Sequence, residues 1–247
     1  MIDSRTSIPR SGRHQSGRYR SGRHRPGWSR WPELPFLAGF VVLTALLAGG
    51  ALLDVDLAVR DWCDSHRPEW ARLVARGLNF AGSASLLAGV LLVAAGVVGF
   101  RRRSVRPVLR VLVTLAASYL VVVPIKMLTD RAAPHSPRAH AVELFTNDLG
   151  WSYPSGHVFN TVIWYPVLAA LLGALLRRPV ADRTRRLIRV VPVVVVCGTV
   201  TYLGFHWLTD AVAGLLLGVV VDRALARVPW EEAGSDGPVR RSGPTGP

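Results

Sequence analysis

Four ionisable residues stand inside or at the edge of long apolar runs: Lys126, His157, His206 and Asp210. Such groups are costly in lipid, which makes them candidates for function. His206 and Asp210 are four residues apart, so on a helix they share one face. The carboxylate can accept from one ring nitrogen and leave the other free as a nucleophile or base. His157 closes the string Tyr153-Pro154-Ser155-Gly156-His157, which reads as a helix start: Ser155 is a good cap and Pro154 fits the first turn. First-turn N–H groups lie at the positive end of the helix dipole and make an anion site, and Gly156 lets an oxyanion approach the backbone. Lys126 adds a positive charge for a phosphoryl oxygen. Singly, each residue has an ordinary use: a cap, a snorkelling anchor, a surface pair. Together, at one depth, they point to chemistry on an anion. Two His and one Asp could instead hold zinc with an open position. No HExxH, Cys pair or acidic cluster supports that, and the lysine and the helix start both ask for an anion, so a phosphoryl site is expected ahead of a metal or other cofactor.

The elements that must position these residues follow from the hydropathy pattern. The 247-residue chain is 50% hydrophobic and 19% charged, with a formal charge of +14. Disorder throughout is excluded by the apolar fraction. A purely soluble nucleic-acid binder is disfavoured, because the bases are segregated between uncharged stretches. About 20 apolar helical residues cross a bilayer, and six runs qualify: 34–53, 78–100, 107–125, 153–176, 190–203 and 207–226. The predicted fold is all-α and polytopic, with six transmembrane helices. Of the 30 bases, 23 fall in the N-terminal tail, the 101–110 stretch, the 177–189 loop and the stretch from Arg223 to the C-terminus, against seven in 54–82 and 126–152. That asymmetry puts both termini in the cytoplasm and Lys126, His157, His206 and Asp210 at the outer face. The segment 54–82, with Trp62 and Trp70, reads as a short interfacial helix given to packing, not chemistry. Trp151, Tyr153, Trp164 and Trp207 suit an outer aromatic belt or the site wall.

Three regions are expected. Residues 1–33 form a disordered cytoplasmic tail rich in Arg, Ser and Gly, with Ser-Gly-Arg recurring at 11–13, 16–18 and 21–23. It reads as a solvated topology determinant sooner than as a contact for anionic lipid or RNA. Residues 34–227 form the six-span domain and 228–247 a second disordered tail. The small residues of Leu47-Ala48-Gly49-Gly50-Ala51 offer a cleavage site, but the long polar leader favours an uncleaved anchor. Two cysteines, Cys63 and Cys197, exclude a disulfide-stapled module. One lysine among 30 bases, with much Ala, Val, Gly and Leu, is compatible with a high-GC bacterial source, hence a plasma membrane.

These residues resemble the type 2 phosphatidic acid phosphatases, membrane relatives of the vanadium haloperoxidases. Three short motifs carry the likeness. The first runs Lys126-Met127-Leu128-Thr129-Asp130-Arg131-Ala132-Ala133-Pro134, the second is Pro154-Ser155-Gly156-His157, and the third runs from Val200 through His206 to Asp210. The resemblance implies that His206 attacks phosphorus and becomes a phosphohistidine, that Asp210 orients it, and that His157 protonates the leaving alkoxide. It further implies that Lys126, Ser155 and Gly156 hold the phosphoryl oxygens, without a metal. Two positions depart: the family's first-motif arginine is Ala133 here and its third-motif arginine is Val200. Losing both could remove on the order of 2–4 kcal/mol of transition-state stabilisation each. Arg131 is the nearest replacement as a phosphate ligand, with His135 and Arg138 as weaker ones.

The leading expectation is a lipid phosphatase acting on a phosphatidate, a phosphatidylglycerol phosphate or a polyprenyl diphosphate at the extracytoplasmic face. Its partners would be that phospholipid or polyprenyl phosphate substrate and the surrounding membrane lipids. A lipid phosphotransferase of the inositol phosphorylceramide synthase type is the alternative, because a cradle short of arginines suits a singly charged diester. A non-catalytic lipid-binding relative is the third.

Overall fold

The computed structural model describes residues 31–146 and 150–230. The expected tails, including the Ser-Gly-Arg repeat, lie outside these residues except at their inner ends, 31–33 and 228–230. Among the described residues the chain is all-helical. Helix α1 (Leu34–Ala48) starts on Glu33 with Pro35 in its first turn and stops at Gly49-Gly50. Helix α2 (Leu53–Ser65) leaves it at 88°. Helix α3 (Glu69–Asn79) follows Pro68, and a 3-10 turn (Phe80–Gly82) leads into α4 (Ala84–Arg102). Then come α5 (Arg106–Thr129), α6 (Gly156–Leu176), α7 (Asp182–Tyr202) and α8 (Leu208–Leu225).

The expected spans shift for identifiable reasons. The run at 34–53 breaks at Gly50, whose φ is +80°, a conformation glycine adopts freely. The run at 78–100 loses its first residues to α3 and the 3-10 turn. There Gly82 lies so close to α6 that an added Cβ would sit 3.1 Å from the His157 Cβ. The run at 153–176 starts three residues late, because Ser155 caps α6 by accepting from the Val158 amide at 3.5 Å. The run at 190–203 extends back to Asp182 through four arginines. By length and composition α4, α5 and α6 can each cross a membrane, and α1 with α2 passes only as a bent pair. Helices α7 and α8 do not pass, because every 18-residue stretch of either holds at least three charged side chains.

Helix α6 is the hub, packed against α4, α5, α7 and α8. Leu91, Ala95, Val111, Phe159, Ile163 and Trp164 form a core with almost no exposure. Trp164 is therefore core, not belt. In lipid, close packing replaces the hydrophobic drive, and small residues let helices approach. Gly214 and Gly218 do so on α8: a Cβ at Gly214 would fall 2.5 Å from the Ser155 carbonyl oxygen, and one at Gly218 would fall 2.9 Å from the Val162 Cβ. This seam brings the start of α6 beside the start of α8. At the other end of α8, Arg227 bonds Glu33 at 2.5 Å and holds that carboxyl below the usual carboxylate range.

Candidate active site

The turn between α7 and α8 is built by backbone bonds. Gly204 takes φ +67°, and the Val200 carbonyl accepts the amides of Phe205 at 3.0 Å and His206 at 3.2 Å. Asp210, in the first turn of α8, reaches back to the Trp207 amide at 3.0 Å, as a third-position acid does in a capping box. These bonds present His206 and Asp210 on one side of the helix start.

The carboxylate does not take the imidazole directly. His206 Nδ1 stands 3.6 Å from Asp210 Oδ2, too far for a hydrogen bond. The Ser152 hydroxyl bridges them: it donates to Asp210 Oδ2 at 2.6 Å and lies 3.2 Å from His206 Nδ1. A serine has one proton to give. With it committed to the carboxylate, Ser152 Oγ accepts Nδ1–H, and Nε2 keeps its lone pair. The tautomer here is assigned from the network.

Asp210 is fully buried, and Arg131 Nη1 donates to its Oδ1 at 2.6 Å. Arg131 was expected to hold phosphate. The structure puts it behind Asp210, fully buried, with Nε on the Val142 carbonyl at 2.9 Å, Nη1 also on Thr209 Oγ1 at 2.8 Å and Nη2 on Asp56 Oδ2 at 2.7 Å. Of the weaker candidates, His135 bonds Asp64 at 3.0 Å. Ala133 is exposed, and Val200 packs with Val158, Val196 and Ala211. Neither position offers a donor.

Opposite His206, the start of α6 presents His157, with ring centroids 6.2 Å apart and planes at 61°. The Ser155 amide bonds the Asp210 carbonyl oxygen at 2.9 Å, tying the two helix starts together. Lys126, in the last turn of α5, runs its stem past Gly156 and donates from Nζ to the Trp151 carbonyl and, at 3.5 Å, to that of Ser152. Trp207 forms a wall: it is buried, bonds the Ala132 carbonyl at 2.9 Å, and carries the guanidinium groups of Arg131 and Arg60 at 5.4 and 5.7 Å from its ring centre. Among the described residues, no three His, Cys, Asp or Glu side chains are grouped to hold a metal ion.

Lys126, Ser155, Gly156, His157, His206 and Asp210 thus converge, from α5, α6 and the start of α8. Sequence reasoning missed Ser152, Thr209 and Asp56. Ser152 belongs to an irregular loop with no periodicity to read. Asp56 precedes Arg60 by four residues, a spacing that resembles a surface ion pair. The 54–82 segment, assigned to packing, therefore contributes one charged group to the rear of the site.

Comparisons with known proteins show the family and the fold. The family model of the PAP2 superfamily matches residues 107–233. Phosphatidylglycerophosphatase B of Bacillus subtilis (strain 168) is 26% identical over 186 residues, 74% of this chain and 87% of that protein. The crystal structure of a transmembrane PAP2-type phosphatidylglycerolphosphate phosphatase from Bacillus subtilis shares the fold. Its TM-score is 0.66 at 23% identity, over 78% of this chain and 94% of that one.

Proposed function

Because the chain belongs to the PAP2 superfamily, we propose that it is a membrane lipid phosphatase that cleaves a lipid phosphate monoester or diphosphate through a phosphohistidine. The named activity of the Bacillus relative makes a phosphatidylglycerol phosphate a natural first substrate; a phosphatidate or a polyprenyl diphosphate has the same chemistry. The observation that carries the reading is the His206–Ser152–Asp210 relay facing His157 across 6.2 Å.

In this mechanism Nε2 of His206 attacks phosphorus, the bond from phosphorus to the lipid oxygen breaks, and His157 gives its proton to the departing alkoxide. Water, giving a proton back to His157, then attacks phosphorus, the bond to Nε2 of His206 breaks, and inorganic phosphate leaves. Lys126, with the Ser155 hydroxyl and the backbone donors around Gly156, stabilises the oxygens where negative charge develops.

The proposed topology has α1, α4, α5, α6, α7 and α8 each crossing the membrane within residues 34–227. The arginine-rich ends face the cytoplasm, and the site faces outward in a bacterial plasma membrane. The distribution of bases supports it. A second reading, a phosphotransferase passing a phospho-head group to an alcohol, is favoured by the donor-free positions Ala133 and Val200, since a diester presents one negative charge.

The test uses the full-length protein with dioctanoyl lipid phosphates. His206→Ala is expected to cut phosphate release by about 10⁴-fold or more. Retained activity would reject the assignment. Adding candidate polyols with a labelled lipid donor separates the two readings: free phosphate supports hydrolysis, and head-group exchange without it supports transfer.

A further inference from the structure

Helix α8 has one local capping bond, Asp210 on the Trp207 amide, and no side-chain acceptor at its N-cap. Trp207, the residue at its N-cap, has no side chain that can accept a hydrogen bond, yet the first-turn N–H groups of a helix need acceptors. The acceptor comes from 153 residues earlier: Asp56 Oδ1 takes the Thr209 amide at 3.0 Å, and Asp56 Oδ2 takes the Thr209 hydroxyl at 2.5 Å. The same Oδ2 pairs with Arg131 Nη2 at 2.7 Å, while Arg131 Nη1 bonds Asp210 Oδ1 at 2.6 Å. The side chains of Asp56, Arg131 and Asp210 are all fully buried.

Buried charges require partners, and removing one partner leaves the other uncompensated. Asp56 has two effects here. It fixes the first turn of α8, which carries Asp210. It also takes up half of the Arg131 fork, so that the guanidinium does not fall entirely on Asp210 and draw it away from Ser152. The next links outward are Ser152 and then His206.

Resting on the phosphatase reading above, we propose that Asp56 is a positioning residue for the nucleophile: it caps α8 from α2 and anchors Arg131, which holds Asp210 in register with Ser152 and His206. Asp56 touches no substrate in this scheme. Its loss therefore acts on the chemical step and not on lipid binding, as loss of an outer partner does in other preorganised sites.

The experiment measures kcat and KM separately for the full-length protein on dioctanoyl phosphatidate. Asp56→Asn is expected to lower kcat about ten- to a hundredfold with KM changed less than twofold. Asp56→Glu, which keeps the charge, should recover most of that loss. Thr209→Val keeps the Asp56–Arg131 pair and so guards against an Asn variant that does not fold. It should lower kcat severalfold, again with KM unchanged. Wild-type kcat in Asp56→Asn, a loss carried by KM, or an Asp56→Glu variant no better than Asn overturns the proposal. His206→Ala, run in parallel, separates the two failures: if it stays active the site reading falls, whereas if it alone is dead only the role of Asp56 falls.

Discussion

The two walls of the site are held in different ways. The His206 wall is locked from behind: Ser152, Asp210, Arg131, Thr209 and Asp56 form one buried chain of bonds spanning α2, the 130–155 loop and α8. The wall opposite is spare. It has one lysine, tied to two loop carbonyls, and the start of α6. If His206 attacks as proposed, the contrast teaches that buried charge orients the attacking ring before substrate arrives. In the proposed mechanism phosphate binding is left to a single cation, the Ser155 hydroxyl and backbone groups. Preorganised groups of the first kind lower the barrier without reorganising. A cradle of the second kind has little redundancy.

That difference can be pushed from either side. Short of removing His206 itself, the largest effect should come from the spare wall: Lys126→Met removes its one side-chain cation and should lower kcat/KM about 10²–10³-fold in a phosphate-release assay. A loss under threefold would mean that another cation shares the load. The seam between the walls comes next. Gly214→Ala places a Cβ 2.5 Å from the Ser155 carbonyl, so α6 and α8 must part. A displacement of about 1 Å between reacting groups can cost about 10²-fold in rate, and the overpacking should cost about 1–3 kcal/mol of stability. Thermal melting in detergent, read beside activity, checks both. The smallest effect should come from the reinforced wall: Ser152→Ala removes the bridge but leaves Asp210 held by Arg131 and Trp207. A loss of about tenfold is expected, well short of removing His206 itself. If Ser152→Ala proved as damaging as Lys126→Met, the contrast between the walls would be wrong.

Much of this was legible in the sequence, and what was not has physical causes. Lys126, His157, His206 and Asp210 were readable because a titratable group in an apolar run is conspicuous. Ser155 was readable as a cap because caps depend on local residue types. The linking residues were hidden because they act across long separations: Asp56 meets Thr209 at 153 residues and Ser152 meets Asp210 at 58. Periodicity says which face a residue occupies, not which partner it meets. Arg131 looked like a displaced phosphate ligand from its place in the string, yet two buried carboxylates claim its guanidinium. Helix ends moved for the same reason: Gly82 and Gly50 serve tertiary contacts and turns that a hydropathy run does not record.

In the proposed mechanism His206, backed through Ser152 by Asp210, attacks phosphorus. Reactions of the full-length protein with a lipid phosphate labelled on phosphorus, stopped in alkaline detergent, test it most directly. The label should appear on the protein as an alkali-stable, acid-labile adduct that maps to His206, and it should be absent from His206→Ala. Label on another residue, or a full burst of phosphate release from the His206→Ala protein, would contradict it.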